Sequence, residues 1–310
     1  MPLNILFSAP GDDRDRYESP LLRAFKTHKL DVNLQMELDP AEVDYIVYAP
    51  SSTLKDFKPY TRTKAVLNLW AGVEAIVGNA TLTQPLTRMV DHGLSQGMTE
   101  WVVGHTLRHH LGMDTHIMGQ DGQWRLGAPP LSHNRRVTIL GIGELGIAVG
   151  QALCALGFPV TGWSRSAKTV EGITCRHGRD GLRDALSTAD ICVLLLPNTP
   201  ATENTLNTET LAWMPRGAFV LNPGRGSLID DDALLAELDS GHIAHATLDV
   251  FRVEPLPLDH PYWTHPSVTV TPHIAAETRA ETGAEVIAEN VRRSEAGEAL
   301  LHVVDRSLGY

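Results

Sequence analysis

Apolar residues fall in short runs separated by glycine, proline and polar turns, with stretches of helical spacing between them. In the first third, Leu3–Ala9, Val32–Leu38, Asp44–Ala49, Ala65–Trp70 and Leu86–Val90 read as strands, and Ser19–His28 as a helix. Thr99–Leu111 reads as a long helix with Thr99 as its N-cap. Gly112, Gly119 and Gly122 loosen the chain, and Arg125–His133, with Gly127, Pro129 and Pro130, reads as a loop or extended segment. From Arg135 the pattern resumes, with strands at Val137–Leu140, Val160–Trp163, Asp190–Leu195, Ala218–Asn222, Ala244–Leu248 and Val268–Thr271. Asp231–Leu238 reads as a helix capped by Asp230 and stopped near Gly241, and Glu277–Ala296 as a long amphipathic one. Strands alternating with helices predict an α/β protein with two parallel sheets.

One strand ends in a turn with its own chemistry. Val137–Leu140 runs into Gly141-x-Gly143-x-x-Gly146, and a helical pattern follows until Gly157 and Pro159 stop it. Gly141 suits a tight turn, Gly143 lets a pyrophosphate approach the backbone, and Gly146 lets the helix pack on the strand. Glu144 and Leu145 open that helix, whose unpaired N–H groups face the phosphates. The bland alternative is a glycine turn without function, but the flanking strand and helix favour a dinucleotide.

Rossmann sites that select NAD carry an acidic residue about 20 positions beyond the glycines, at the end of the second strand. This chain has Trp163-Ser164-Arg165-Ser166 there, with Lys168 close by and no carboxylate. Arg165 can stack on adenine or pair with a 2′-phosphate, and Ser164 can hydrogen-bond to it. NADP(H) is therefore expected, with NAD(H) less favoured.

Composition narrows the alternatives. The chain of 310 residues is long for a single core, so two domains are expected. A net charge of −11 without a basic run argues against nucleic-acid binding. No apolar stretch reaches the roughly 18 residues of a membrane helix. No leader-like segment precedes Leu3–Phe7, and Cys154, Cys175 and Cys192 form no CxxC pair. A cytoplasmic protein without disulfides or membrane contact is expected. The many histidines, adjacent His109 and His110 included, show no metal-ligand spacing, so no metal is expected.

The strand ends carry the remaining chemistry. Leu196-Pro197-Asn198 and, a few residues on, Thr202 follow the third strand of the second half, on the edge where ligands bind in parallel sheets. Asn222-Pro223-Gly224-Arg225-Gly226 follows the next strand, Asp249 ends the one after with Glu254 shortly behind, and His273 follows the last. This set suits hydride transfer to a 2-oxo acid. His273 is the candidate general acid, Glu254 can hold its ring and stabilise imidazolium, and Arg225 can bind the substrate carboxylate bidentately.

These pieces resemble the D-isomer-specific 2-hydroxy acid dehydrogenase family over nearly the whole chain. Leu195-Leu196-Pro197-Asn198-Thr199-Pro200, Asn222 to Gly226, Leu248-Asp249-Val250-Phe251-x-x-Glu254-Pro255 and Pro272-His273-Ile274-Ala275-Ala276 carry the likeness, with the glycine turn. Asn68 to Val73, Met98-Thr99-Glu100-Trp101-Val102, Gln120-x-x-x-Trp124 and Trp163 to Lys168 point to its glyoxylate/hydroxypyruvate reductase A branch, although Trp101 replaces an expected tyrosine and Glu74 a frequent aspartate. The resemblance implies a trio of Arg225, Glu254 and His273, with Asp249 near the nicotinamide. It implies that the Ala71-Gly72-Val73 backbone binds the substrate carboxylate and that Trp70 lines the pocket. It also implies two Rossmann-like or flavodoxin-like domains, with a cofactor domain (99–276) inserted into a substrate domain (1–98 plus 277–310). The implied active site is the cleft between them. A homodimer formed through the cofactor domain is implied too, with residues 99–130 as interface candidates. The expected activity is NADPH-dependent reduction of glyoxylate to glycolate and of hydroxypyruvate to D-glycerate. Two other readings stay open: an NAD-linked dehydrogenase of D-lactate or 3-phosphoglycerate type, and a non-catalytic dinucleotide sensor.

Overall fold

A computed structural model describes residues 1–309. The chain forms two compact units, one from Met1–Leu94 with the segment from Thr278 onward, the other from Ser95–Glu277.

The first unit holds β1 (Leu3–Ser8), α1 (Gly11–Thr27), β2 (Val32–Gln35), β3 (Tyr45–Tyr48), β4 (Ala65–Asn68) and β5 (Leu86–Thr87). Its parallel sheet has the order β2-β1-β3-β4-β5, the flavodoxin-like arrangement. Period-two alternation divides its core. Ile5, Phe7, Val47 and Leu67 face α1 and a C-terminal helix, whereas Leu6, Ile46, Tyr48 and Val66 face Phe57, Val73, Ile76 and Leu82.

The second unit takes most of α2 (His92–His110), then α3 (Met113–Ile117), β6 (Val137–Leu140), α4 (Glu144–Ala155), β7 (Val160–Ser164), β8 (Thr174–His177), α5 (Gly178–Leu186), β9 (Ile191–Leu194), α6 (Thr208–Leu211), β10 (Ala218–Asn222), α7 (Asp231–Asp239), β11 (Ile243–Leu248) and β12 (Val268–Val270). All pairings are parallel in the order β12-β11-β10-β9-β6-β7-β8, the Rossmann order with one further strand. The α/β fold expected from the sequence is borne out. On one face Ile139, Val193 and Leu221 pack against α2 and α4; on the other Cys192, Leu194 and Val220 pack against α5 and α7.

The chain closes with α8 (Ala280–Glu295) in the first unit. Its buried Ala284, Ile287, Ala288 and Val291 follow helical spacing and meet Leu21, Ala24 and Phe25 of α1. Beyond it, Thr87 of β5 forms an antiparallel bridge to Val303. No helix among the described residues is long and apolar enough to cross a membrane.

Three local expectations are corrected. Thr99 caps nothing: it lies inside α2 and its hydroxyl donates to Ser95 O, 2.8 Å away. Asp91 serves the helix start instead, its Oδ2 accepting from Gly93 N at 3.0 Å and Leu94 N at 3.3 Å. Helix α1 begins eight residues before the expected Ser19, at Gly11. Its first six residues are polar and at most half-buried, and the Arg14–Glu18 pair bridges one helical turn before Pro20. Strand β8 was not expected, because an exposed edge strand pairs through its backbone and needs no apolar run.

Candidate active site

The glycine turn sits where the strand order reverses, between β6 and β9. Gly141 has φ +106, and a Cβ there would lie 2.5 Å from Leu195 O. The turn after β6 therefore lies backbone to backbone against the loop after β9. A Cβ on Gly146 would stand 1.9 Å from Gly141 O, so only glycine lets α4 start so close to its strand. Gly143 has open space where its Cβ would be. It is also the N-cap of α4 and gives it no side-chain cap, so the first N–H groups of that helix depend on an outside acceptor. An open backbone, uncapped amides and the positive end of a dipole fit a dinucleotide pyrophosphate. Glu144 is exposed and Leu145 half-buried at the same helix start.

At the end of β7 the groups divide by direction. Ser164 is buried and its Oγ donates to Ser166 O at 2.8 Å, so this hydroxyl braces the turn. Arg165 and Ser166 are exposed. Lys168 Nζ donates to Ile142 O at 2.9 Å and ties this segment to the glycine turn. The turn presents a cation and no carboxylate, which fits a 2′-phosphate. After β9, Thr202 Oγ1 donates to Pro197 O at 2.6 Å and closes the loop, while Asn198 Oδ1 accepts from Ser227 Oγ at 2.8 Å. Leu196 is buried beneath that loop, and Pro223 is buried after β10.

Arg225 stands between two glycines for packing reasons. A Cβ at Gly224 would lie 2.8 Å from Leu194 O, and one at Gly226 2.0 Å from the Phe251 carbonyl carbon. Asn222, buried at the end of β10, closes this loop: its Nδ2 donates to Arg225 O at 2.9 Å and its Oδ1 accepts from Gly224 N at 3.1 Å. Arg225 Nη1 donates back to Gly224 O at 2.7 Å, and the residue is half-buried.

His273 Nδ1 lies 2.7 Å from Glu254 Oε2, and the second oxygen of Glu254 accepts from Phe251 N at 2.8 Å. One carboxylate thus clamps the ring and its own loop, leaving His273 Nε2 as the nitrogen for a reacting partner. His273 has φ +54, a left-handed conformation that costs an L-residue about 1–2 kcal/mol. The turn is held from below. Asp249, fully buried, accepts from Thr271 Oγ1 at 2.6 Å, from Ile274 N at 2.9 Å and from Ala275 N at 2.9 Å. Its backbone carbonyl accepts from His273 N at 2.8 Å. Sequence reasoning placed Asp249 on the cofactor side; these bonds show in addition that it shapes the histidine turn. Nothing in the residue order signals that Thr271 joins it.

In the first unit, Asn68 ends β4 fully buried and its Nδ2 donates to Trp70 O at 2.7 Å and Gly72 O at 3.0 Å. Both partners are acceptors, which settles the amide's orientation. Holding those carbonyls inward shapes the turn of half-buried Ala71 and Gly72 and buried Val73, beside a Trp70 that is 47 % exposed. The role of Asn68 was not foreseen; the signal available was a polar residue closing an otherwise apolar strand.

Comparison with known proteins gives consistent matches. Residues 101–275 match the family described as D-isomer specific 2-hydroxyacid dehydrogenase, NAD binding domain. A glyoxylate/hydroxypyruvate reductase A of Serratia proteamaculans is 40 % identical over 257 residues, covering 80 % of this chain and 82 % of that one. Among solved structures, a D-isomer specific 2-hydroxyacid dehydrogenase from Xanthobacter autotrophicus Py2, in complex with NADPH and MES, is 40 % identical with a TM-score of 0.93 and covers 100 % of both chains. An NADPH-dependent glyoxylate/hydroxypyruvate reductase from Sinorhizobium meliloti, in complex with NADP and sulfate, is 30 % identical with a TM-score of 0.85 and covers 100 % of this chain and 99 % of that one.

Proposed function

The chain belongs to the D-isomer-specific 2-hydroxyacid dehydrogenase family, and from that premise we propose that it is an NADP-dependent reductase of small 2-oxo acids, converting glyoxylate to glycolate and hydroxypyruvate to D-glycerate. The reductase relative and the neighbours bound to NADPH or NADP support this reading. The observation that carries it is the His273–Glu254 pair at 2.7 Å, on the same sheet as the glycine turn.

In this reading residues 99–276 form the dinucleotide domain, and residues 1–98 with 277–310 the substrate domain. Gly141, Gly143, Glu144, Leu145 and Gly146 hold the pyrophosphate. Ser164, Arg165, Ser166 and Lys168 form the 2′-phosphate end. Leu196, Pro197, Asn198, Thr202 and Pro223 line the remainder, and Asp249, fully buried, supports it from beneath. When bound, the nicotinamide supplies the hydride that reaches the carbonyl carbon.

The chain's own residues do the rest. Arg225 binds the substrate carboxylate through its planar, bidentate fork and polarises the carbonyl. The Ala71-Gly72-Val73 turn offers N–H groups to a carboxylate, with Trp70 beside it. His273 Nε2 gives its proton to the carbonyl oxygen, while Glu254 keeps Nδ1–H oriented and stabilises the imidazolium until transfer. One 2-oxo acid, one hydride and one proton yield one 2-hydroxy acid.

We infer that the chain acts as a homodimer in the cytoplasm. Exposed Ile117, Met118, Trp124, Leu126 and Leu131 cluster in the segment after α2, and such a concentration of apolar surface favours a partner. The cysteines are free, which suits a reducing compartment.

The test is NADPH oxidation with glyoxylate, hydroxypyruvate, pyruvate and phenylpyruvate. Glyoxylate and hydroxypyruvate are expected to react fastest and NADH to serve poorly. No turnover with any 2-oxo acid, or a preference for NADH, overturns the assignment.

A further inference from the structure

We propose that Thr271 is a positioning residue for His273, acting through the buried carboxylate of Asp249. The proposal rests on the reading of His273 as proton donor. His273 occupies a left-handed backbone conformation that a histidine does not adopt unaided, so its surroundings must impose it. Its own N–H is bound to the backbone carbonyls of Asp249, at 2.8 Å, and Thr271, at 3.1 Å. The next two amides, Ile274 N and Ala275 N, each bind a different oxygen of the Asp249 carboxylate at 2.9 Å. That carboxylate therefore sets the backbone on the C-terminal side of His273. It can do so only if its plane is fixed.

Thr271 fixes the plane. Its Oγ1 donates to Asp249 Oδ1 at 2.6 Å, in the range of a hydroxyl bound to an ionised oxygen. Thr271 N is itself bonded to Leu248 O at 2.9 Å, and Asp249 N to Asn222 O at 3.0 Å, so both partners are anchored to neighbouring strand ends. Asp249 is inaccessible to water, so nothing outside the protein can replace a lost donor. Without the Thr271 hydroxyl the carboxylate is held only by the two amides that it has to order, and it can tilt about its last bond. The two amides then lose their common acceptor geometry, and the imidazole drifts from Glu254. Small displacements of a catalytic ring carry large penalties in rate, whereas the dinucleotide turn at the β6–β9 junction is untouched.

The experiment compares Thr271→Val, Thr271→Ala and Thr271→Ser in the full chain, with His273→Asn as reference. Val matches threonine in shape and lacks the hydroxyl; Ala carries the test without placing a methyl group against the carboxylate. We expect kcat to fall about tenfold or more in both, with NADPH affinity and the KM for the oxo acid within about twofold of wild type. Thr271→Ser, which restores the donor, is expected to recover most of the turnover. Adding Thr271→Val to His273→Asn is expected to cost nothing further, because the ring it positions is gone. Wild-type kcat in Val and Ala, or a Ser variant as slow as Val, overturns the proposal while a dead His273→Asn leaves the proton-donor reading standing. Wild-type turnover in His273→Asn overturns that reading instead.

Discussion

Acidification tests how the second unit holds a neutral histidine. His109 of α2 is 5 % exposed, stacked on Phe219 at 4.7 Å, with Nε2 2.9 Å from Thr247 Oγ1 in β11. Burial pushes its pKa down from 6.5 to about 3; the Arg108 charge, and His245 once protonated, act in the same direction against a weaker pull from Asp114. The unfolded chain therefore binds a proton at this site that the folded chain refuses. The stability this neutral group contributes is complete above the unfolded value and is lost as pH falls below it, down to the folded value. From pH 7.5 to pH 5 the loss from His109 alone is about 2 kcal/mol. At pH 5 the folded residue is neutral, so the figure depends on the unfolded value.

The assay is urea unfolding followed by tryptophan fluorescence at both pH values, without cofactor, on wild type and His109→Gln. Glutamine retains a donor for Thr247 and cannot titrate. His245, depressed to about 4 chiefly by burial, contributes to both proteins and cancels in the difference. Wild type should lose about 2 kcal/mol more than the variant over this interval. Equal losses would refute the account of His109 as a buried neutral group.

Two further outcomes follow from the site. Arg165→Ala should raise the KM for NADPH about tenfold or more and leave that for NADH nearly unchanged, since only NADPH carries the 2′-phosphate; an unchanged ratio, read from initial rates with both cofactors, removes Arg165 from cofactor selection. Asn68→Asp replaces a donor to two carbonyl oxygens by a carboxylate that repels them, so the Trp70–Val73 turn should open. The KM for the oxo acid should then rise about tenfold with NADPH affinity intact, and steady-state kinetics showing neither change would detach that turn from substrate binding.

Much of the candidate site was legible because its residues sit at strand ends, where an apolar run stops and polar or charged side chains begin. Leu140-Gly141, Asn222-Pro223-Gly224-Arg225 and Thr271-Pro272-His273 each show that break, and the end of the apolar run together with the residue types that follow it pointed to them. The open backbone at Gly143 and the close approach at Gly146 were legible too, since glycine answers a local backbone demand. The first six residues of α1 and the edge strand β8 were not, because polar residues that stay in contact with water leave no burial pattern. Asn68, Asp91 and Thr271 escaped for a related reason: each acts by a hydrogen bond whose direction depends on backbone geometry a few residues away.

By itself, the sequence determined the strand and helix pattern and the glycine turn without an acid beyond it, and it supplied the cation, carboxylate and imidazole proposed for the site. Those follow from residue type and period, which need no partner. Only the tertiary structure decided that Glu254 clamps His273 at Nδ1, that Asp249 lies wholly buried beneath the histidine turn, and that Thr271 completes its hydrogen bonds. Residues about 20 positions apart can meet in many ways, and the parallel register of β10, β11 and β12, set by the packing of the whole sheet, selects one.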